Sequence, residues 1–418
     1  MLNRPIAISL SPNAETDDVV LAIRQLFDYR NWHNATPVVN LEKALENYFG
    51  KGYQSFAVNS GRSGLFLALK ALGLGKGDEV LIQAFTCVAV PNSVIWTGAR
   101  PVYVDIDETY NINLEDLRKK MTKRSKAVII QHTFGIPLDI DRLKQITSKN
   151  GIALIEDCAH SFGGIRNGRK IGSESDISVL SFGRDKVLSS VFGGAILTRD
   201  KKTKAQLAKL VGQLGLPSKF WILQQLVHPI LFSLLLPFYN FGFGKYTLGK
   251  ALLVCLQKMN FLSLPVTREE KLGQKIDTFP ALFPGALSQL ALRQLTKLAR
   301  FNDRRGKIAS IYFDRLRNSG LILPPDVPGS VWLRFPVRHA RASELYDYAK
   351  AKGILLGNWY KGIVDPAVDR KLVGFVEGSC PKARDYSATV INLPTYPMLT
   401  DRQVYKVVDV IKQWFTYK

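Results

Sequence analysis

Residues 153–164 read ALIEDCAHSFGG and residues 178–198 read SVLSFGRDKVLSSVFGGAILT. Each starts in a short apolar run and ends in polar residues and glycine, the pattern of a strand buried on both faces of a parallel sheet. Asp157 and His160 stand just past the first run, and Ser181 and Lys186 just past the second. Ligands of parallel sheets sit at the carboxyl ends of the strands. An acid, a hydroxyl and a lysine gathered there suit an electron-sink cofactor such as pyridoxal 5'-phosphate (PLP), which needs a lysine for its Schiff base and a carboxylate opposite its ring nitrogen. Taken singly, Asp157 also reads as a helix cap and Lys186 as a solvated surface lysine.

Working outward, Phe56-Ala57-Val58 runs into Asn59-Ser60-Gly61-Arg62-Ser63-Gly64 and then the helical LFLALKALG. A strand, a glycine turn and a helix start make a cradle for an anion such as phosphate, because free N–H groups and the positive helix end face it. An ordinary tight turn has the same look. It is neither GxGxxG nor a Walker loop, which speaks against a dinucleotide or NTP site. Beyond it EVLIQA, PVYVDID, KAVIIQHTF and IALIED read as strands, with helices between them, predicting a mostly parallel sheet with helices on both faces. From 288 onward a long helix over 288–317, strands at SVWLRFPVRH and VINLP and a last helix at LTDRQVYKVVDVIKQWF predict a smaller α+β domain. The expected division is 1–287 and 288–418.

The 418 residues, 46% hydrophobic, are ample for a large core plus a smaller one. Cys87, Cys158, Cys255 and Cys380 lie far apart without a CxxC pair, which argues against a zinc site or a disulfide framework and for a reducing compartment. No signal peptide is read at the N-terminus, so a cytoplasmic location is expected. The net charge of +22 calls for an anionic partner. Its dispersal along the chain speaks against nucleic acid, which needs Lys and Arg gathered on one face.

The order SGRSGLFLALKALGLGKGDEVLI, GARPVYVDID, IEDCAHSFG, SFGRDKVLSSVFGGAILT, LSQLALRQLTKLARFNDRR and INLPTYPMLTDRQVYKVV resembles the PLP-dependent sugar aminotransferases of the DegT/DnrJ/StrS type, of fold-type I. The resemblance covers most of the chain, apart from roughly 205–270. It implies that Lys186 forms the Schiff base and shuttles the proton, and that Asp157 pairs with the pyridine nitrogen. It also implies that His160 lies beside the ring with a part in catalysis, that Ser181 binds phosphate with the amides of Gly61 and Arg62, that Ser63 in the same turn contacts the cofactor, and that the Arg62 guanidinium adds a charged contact. Cys87 takes the place of the aromatic that family members stack on the cofactor. Trp359 and Tyr360 fall where an aromatic pair approaches the substrate. The family's Asn-Tyr-Arg, which reaches a neighbouring subunit's site, has no match in ALFPGALSQL. The implied function is transfer of an amino group from an amino acid to a nucleotide-linked keto sugar, by a homodimer. A dehydratase of the same fold is a second reading, opposed by Lys186. A membrane-associated assembly protein without catalysis is a third.

Residues 216–264 are apolar and aromatic, with Lys219, Lys245, Lys250 and Lys258 spaced through them and His228, Pro229 and Pro237 expected to break the run. That predicts an inserted helical subdomain, with a peripheral membrane contact as the sharper alternative and a true span disfavoured.

Overall fold

The computed structural model describes residues 4–10, 13–243 and 246–416. A two-residue strand, Ile6–Ala7 (β1), precedes the helices Thr16–Phe27 (α1) and Thr36–Phe49 (α2), the second ending at Gly50 with φ 105°. Strands and helices then alternate: Gln54–Val58 (β2), Gly61–Ala71 (α3), Glu79–Gln83 (β3), Ala89–Ile95 (α4), Arg100–Val104 (β4) and Leu114–Lys120 (α5). Ser125–Gln131 (β5), Ile140–Lys149 (α6), Ala153–Asp157 (β6), Ile177–Ser181 (β7), Gly194–Thr198 (β8) and Lys201–Val211 (α7) follow.

Among the described residues these strands form a seven-stranded sheet in the order β2–β8–β7–β6–β5–β3–β4, with β8 antiparallel to both neighbours and the other pairs parallel. The α/β architecture expected from the alternation is therefore present. Strand residues of opposite parity face opposite ways. Val179, Ile196, Ile129 and Ile155 pack with α3 and α4 on one face. Ala57, Leu180 and Leu197 meet α2 on the other, while Leu81, Val128 and Leu154 meet α5 and α6. Because β2, β3, β5, β6 and β7 run the same way, their carboxyl ends open on one edge of the sheet.

The insert is helical. Lys219–Leu235 (α8) runs unbroken through His228 and Pro229, correcting the expected break; only Pro237 coincides with a change, to the 3-10 turn Leu236–Phe238. Proline removes one backbone hydrogen bond, and burial of Ile222, Leu226 and Phe232 along the helix offsets it. A second helix, Leu248–Lys258 (α9), packs on the end of α8 around Phe232, Leu236, Leu253 and Leu262. Lys245 lies outside the described residues.

The long helix expected over 288–317 is two, Gly285–Leu295 (α10) and Leu298–Leu316 (α11). Lys297 sits at the break, where its ammonium meets Asp17 (2.6 Å), Asp18 (2.8 Å) and Glu15 (3.0 Å) at the start of α1. Phe335–Arg338 (β9), Ala342–Ala351 (α12), Ile354–Leu355 (β10), Val390–Leu393 (β11) and Asp401–Thr416 (α13) complete the chain. β9 pairs with β11, and β1 crosses from the far end of the sequence to pair with β10.

Candidate active site

The carboxyl ends of the sheet open into a cavity of ≈ 470 Å³, within the range of small-molecule sites. Asp157 ends β6 and Ser181 ends β7. Gly61 and Arg62 begin α3, and Cys87 follows β3 before α4. All of them line the cavity with Lys186. Six of the eight expected residues therefore converge on one space.

The turn before α3 is built for close approach. Ser60 caps the helix, its Oγ accepting from the Ser63 amide at 3.1 Å. First-turn N–H groups have no intrahelical partner, and those of Gly61 and Arg62 precede Ser63 on the cavity side. A Cβ on Gly61 would stand 2.9 Å from the Ser181 Cβ, and one on Gly194 would stand 2.7 Å from the Gly61 nitrogen. The glycines thus let the helix start, Ser181 and the beginning of β8 meet. A hydroxyl, helix-start amides and a positive helix end in one small cradle fit a phosphate monoester.

Ser63 does not reach the cavity. It is fully buried beneath the turn, where its hydroxyl donates to Asn59 Oδ1 at 2.7 Å and lies 2.9 Å from Ser60 Oγ. The expectation that it contacts a cofactor is corrected: helical rotation turns it inward, where it braces the cap. The Arg62 guanidinium is also engaged elsewhere. It pairs with the buried Glu270 carboxylate, donates to the Pro265 carbonyl at 2.5 Å and lies 4.7 Å from the Phe279 ring. The guanidinium expected to meet a phosphate is thus taken up by Glu270 and the Pro265 carbonyl.

Asp157 is 5% exposed. Its Oδ1 accepts from the Ala159 amide at 3.0 Å and its Oδ2 from Gln131 Nε2 at 3.1 Å, while the Gln131 carbonyl takes the Thr86 hydroxyl. Burial pushes the carboxyl above its usual range, with the Ala159 amide, Lys186 and Gln131 pulling the other way. A cationic ring nitrogen brought against it would supply the missing counter-charge, so the acid fits such a partner.

Lys186 Nζ lies 3.1 Å from His160 Nε2 and 4.7 Å from the Trp359 ring centroid. His160 is buried, stacked on Trp359 at 5.3 Å and 13°, with Nδ1 accepting from the Phe134 amide at 3.3 Å. Burial first, then Lys186 and Arg334, hold its pKa well below the ordinary value, which favours the neutral imidazole. It stands behind Lys186 and Trp359 rather than in the cavity wall. The backbone under the lysine is clamped: Asn13 Nδ2 donates to the carbonyls of Lys186 and Val187, and Arg305 donates to Asn13 Oδ1 (3.2 Å) and the Val187 carbonyl (2.9 Å). Cys87 is half-buried and raised in pKa by burial. Phe85, two residues before Cys87, packs against Tyr360, Tyr110 and Phe134.

Other wall residues carry no local sequence signal. Val364 and Asp365 pair by backbone with 84–88, and Asp365 and Lys271 both line the cavity. Arg184 is buried, held by the Ser263 carbonyl (2.9 Å) and hydroxyl (2.8 Å), and lowered in pKa to about 10 by burial. Leu264, Pro265 and Val266, at the end of the insert, close one side.

Comparison with known proteins gives the family and the fold. The chain is 29% identical over 407 residues to a dTDP-3-amino-3,4,6-trideoxy-alpha-D-glucose transaminase of Streptomyces venezuelae, covering 96% of this chain and 92% of that protein. It is 28% identical over 359 residues to a UDP-N-acetyl-3-dehydro-alpha-D-glucosamine 3-aminotransferase of Acidithiobacillus ferrooxidans, covering 85% and 82%. The crystal structure of S. venezuelae DesV with a ketimine intermediate has a TM-score of 0.74 at 26% identity, over 96% of this chain and 94% of that one. A putative sugar aminotransferase of Streptococcus pneumoniae, solved in its PLP form, shares the fold at 20% identity and a TM-score of 0.74, over 99% and 98%. The sequence profile of one family matches residues 13–222 and 286–412 and passes over most of the insert. The chain belongs to the DegT/DnrJ/EryC1/StrS aminotransferase family, a family of PLP-dependent sugar transaminases.

Proposed function

We propose that this chain moves the amino group of an amino acid, glutamate in the first instance, onto the keto group of a sugar carried on a nucleoside diphosphate. The reading is carried by one observation: Lys186, Asp157, Ser181 and the Gly61 turn face a single cavity at neighbouring strand ends. PLP, when bound, supplies an electron sink for the pair left behind when a Cα proton departs. Gly61, Arg62 and Ser181 would hold its phosphate through two amides and a hydroxyl. Asp157 would keep a proton on the ring nitrogen, its carboxylate oriented by Gln131 and the Ala159 amide. Cys87 would pack beside the ring, and His160 would stand behind Lys186 and Trp359.

Lys186 would attach the cofactor covalently and, once released by an incoming amine, carry the proton to and from the donor's Cα. Its flexible stem hangs from a backbone that Asn13 and Arg305 fix, so the amine moves while its root stays in place. Run forward on the amino acid and in reverse on the keto sugar, these Lys186 proton transfers would support a ping-pong scheme. Residues 1–287 would hold the cofactor and 288–418 close over it, in a cytoplasmic homodimer.

The test is a panel of nucleotide keto sugars incubated with the PLP-loaded protein and glutamate, reading 2-oxoglutarate and the amino sugar. Production of both in equal amounts supports the reading. Loss of a sugar hydroxyl without net amino transfer would replace it with the dehydratase reading.

A further inference from the structure

We propose that the outer face of the α8–α9 insert docks on an anionic lipid surface. Two independent observations carry this. The first is charge. From Lys201 to Arg268 the chain has no Asp or Glu, against eight Lys and one Arg. Charged soluble surfaces usually interleave both signs, so a long one-signed stretch marks an anionic counterpart.

The second is the shape of α9. Gly249, Leu253 and Leu256 face inward onto the end of α8. Leu248, Leu252, Cys255 and Met259 fall at i, i+4, i+7 and i+11, forming a second apolar stripe that faces solvent. Leu248 is 47% exposed, Leu252 39% and Met259 57%. A helix that buries one apolar stripe and exposes another has an unmet partner. Phe238, Phe241 and Leu234 extend the exposed surface onto the end of α8 and the turn beyond it. Lys258 lies about a quarter turn from the stripe, while Lys250, on the far side of the helix, has its ammonium 5.2 Å from the Tyr239 ring centroid. Apolar side chains edged by lysines and aromatics are the composition of an interfacial helix.

Lys219–Phe238 is long and apolar enough to cross a membrane by length and composition, yet its first half is packed against α1 and α10 with Ile222, Gln225 and Leu226 buried. In this fold it lies on the bilayer and does not span it. A second copy of the chain is the less favoured occupant. A two-fold contact through this face would set the lysines of one copy against the same lysines of the other, with no acid in the segment to pair them. The face also adjoins the cavity: Phe261 is exposed, Ser263 holds Arg184, and Leu264, Pro265 and Val266 form cavity wall. Docking would place the mouth of the site next to lipid.

The test is co-sedimentation of the full-length protein with vesicles of phosphatidylcholine alone or mixed with phosphatidylglycerol, at low and high salt. Binding to the anionic vesicles is expected to weaken but persist at high salt, because salt screens the lysines and leaves the apolar contact. Lys258→Ala should weaken it about fivefold. Leu252→Asp should weaken it more than tenfold while leaving the circular dichroism spectrum and melting temperature unchanged, since the side chain is exposed. Protein that stays in the supernatant with anionic vesicles at low salt overturns the proposal. So does equal binding to neutral vesicles. If Leu252→Asp instead turns a dimer into monomers, the face belongs to a second copy and the proposal falls.

Discussion

The Gln131 amide donates to the Asp157 carboxylate at 3.1 Å across the ends of two adjacent parallel strands. Its carbonyl takes the Thr86 hydroxyl from a third strand end, so the orientation of the acid is set by a chain of three side chains. Replacing Gln131 by Leu should leave Asp157 with the Ala159 amide as its described hydrogen-bond donor and free to turn. A loss of one charge-assisted hydrogen bond is worth about 1.5–3 kcal/mol. Turnover and PLP affinity should each fall about tenfold, and Thr86→Val, one bond further away, should cost less. Unchanged PLP affinity in Gln131→Leu would show that the bond does not position the acid.

Lys186→Ala should abolish the covalent link to PLP. The wild-type protein, loaded and treated with borohydride, is expected to carry the cofactor on a peptide containing Lys186, and the variant to carry none. Turnover should drop by at least about 10³-fold, as for loss of a proton-transfer group. Persistence of a reducible adduct in the variant would place the linkage on another lysine.

Asp157→Asn removes a charge with little change of volume. It should cut turnover more than tenfold, at least about 1.4 kcal/mol of barrier, with an unchanged melting temperature. A smaller effect would assign Asp157 to the turn that it makes with Ala159, and to nothing more.

Asp365 gives a pH signature. Burial raises its carboxyl from 3.8 to about 6, opposed by Lys271, Arg334 and Lys361. An acid whose pKa is raised by folding binds its proton more tightly in the native state. That contribution is fully present below the unfolded value and is lost as pH rises through about 6. In Asp365→Asn the loss is absent. Between pH 4 and pH 7 the variant should gain about 1–3 kcal/mol on the wild type, read from urea midpoints at the two pH values. A constant difference would mean that the group titrates normally.

Glu270 is 1% exposed at its side chain and pairs with Arg62 across 208 residues. Breaking a buried pair on one side leaves the other charge stranded. Glu270→Met should destabilise the fold by about 3 kcal/mol, while Arg62→Met/Glu270→Met should recover most of it. Additive losses in the double variant would show that the two do not interact.

The residues legible in the sequence share a property: their chemistry sits within a few positions of a strong local signal. Asp157 and Ser181 each end a β-branched or leucine-rich run, and Gly61 separates a strand from a helix. Gln131 ends such a run too, but a glutamine there reads as the polar end of a strand. Only the sheet order, which sets β5 beside β6, makes it a partner of Asp157. Asp365 and Lys271 reach the cavity through contacts more than 180 residues away from the glycine turn, and no periodicity encodes them. Ser63 and Arg62 went the other way. Their place in the turn is visible, but the side chain of Ser63 turns inward to Asn59 and Ser60, and the partners of Arg62, Glu270, Pro265 and Phe279, are remote in sequence. The break at Lys297 depends likewise on three acids near the N-terminus.

The clamp under Lys186 orders events in time. The carbonyls that Asn13 holds lie 173 and 174 residues further along the chain. Arg305 follows Val187 by a further 118. Contacts this far apart along the chain form late in folding. Until Arg305 has been made, the turn under Lys186 is held by Asn13 alone. A stalled chain ending before Arg305 is expected to hold PLP more weakly than one that includes it, because half of the clamp is missing.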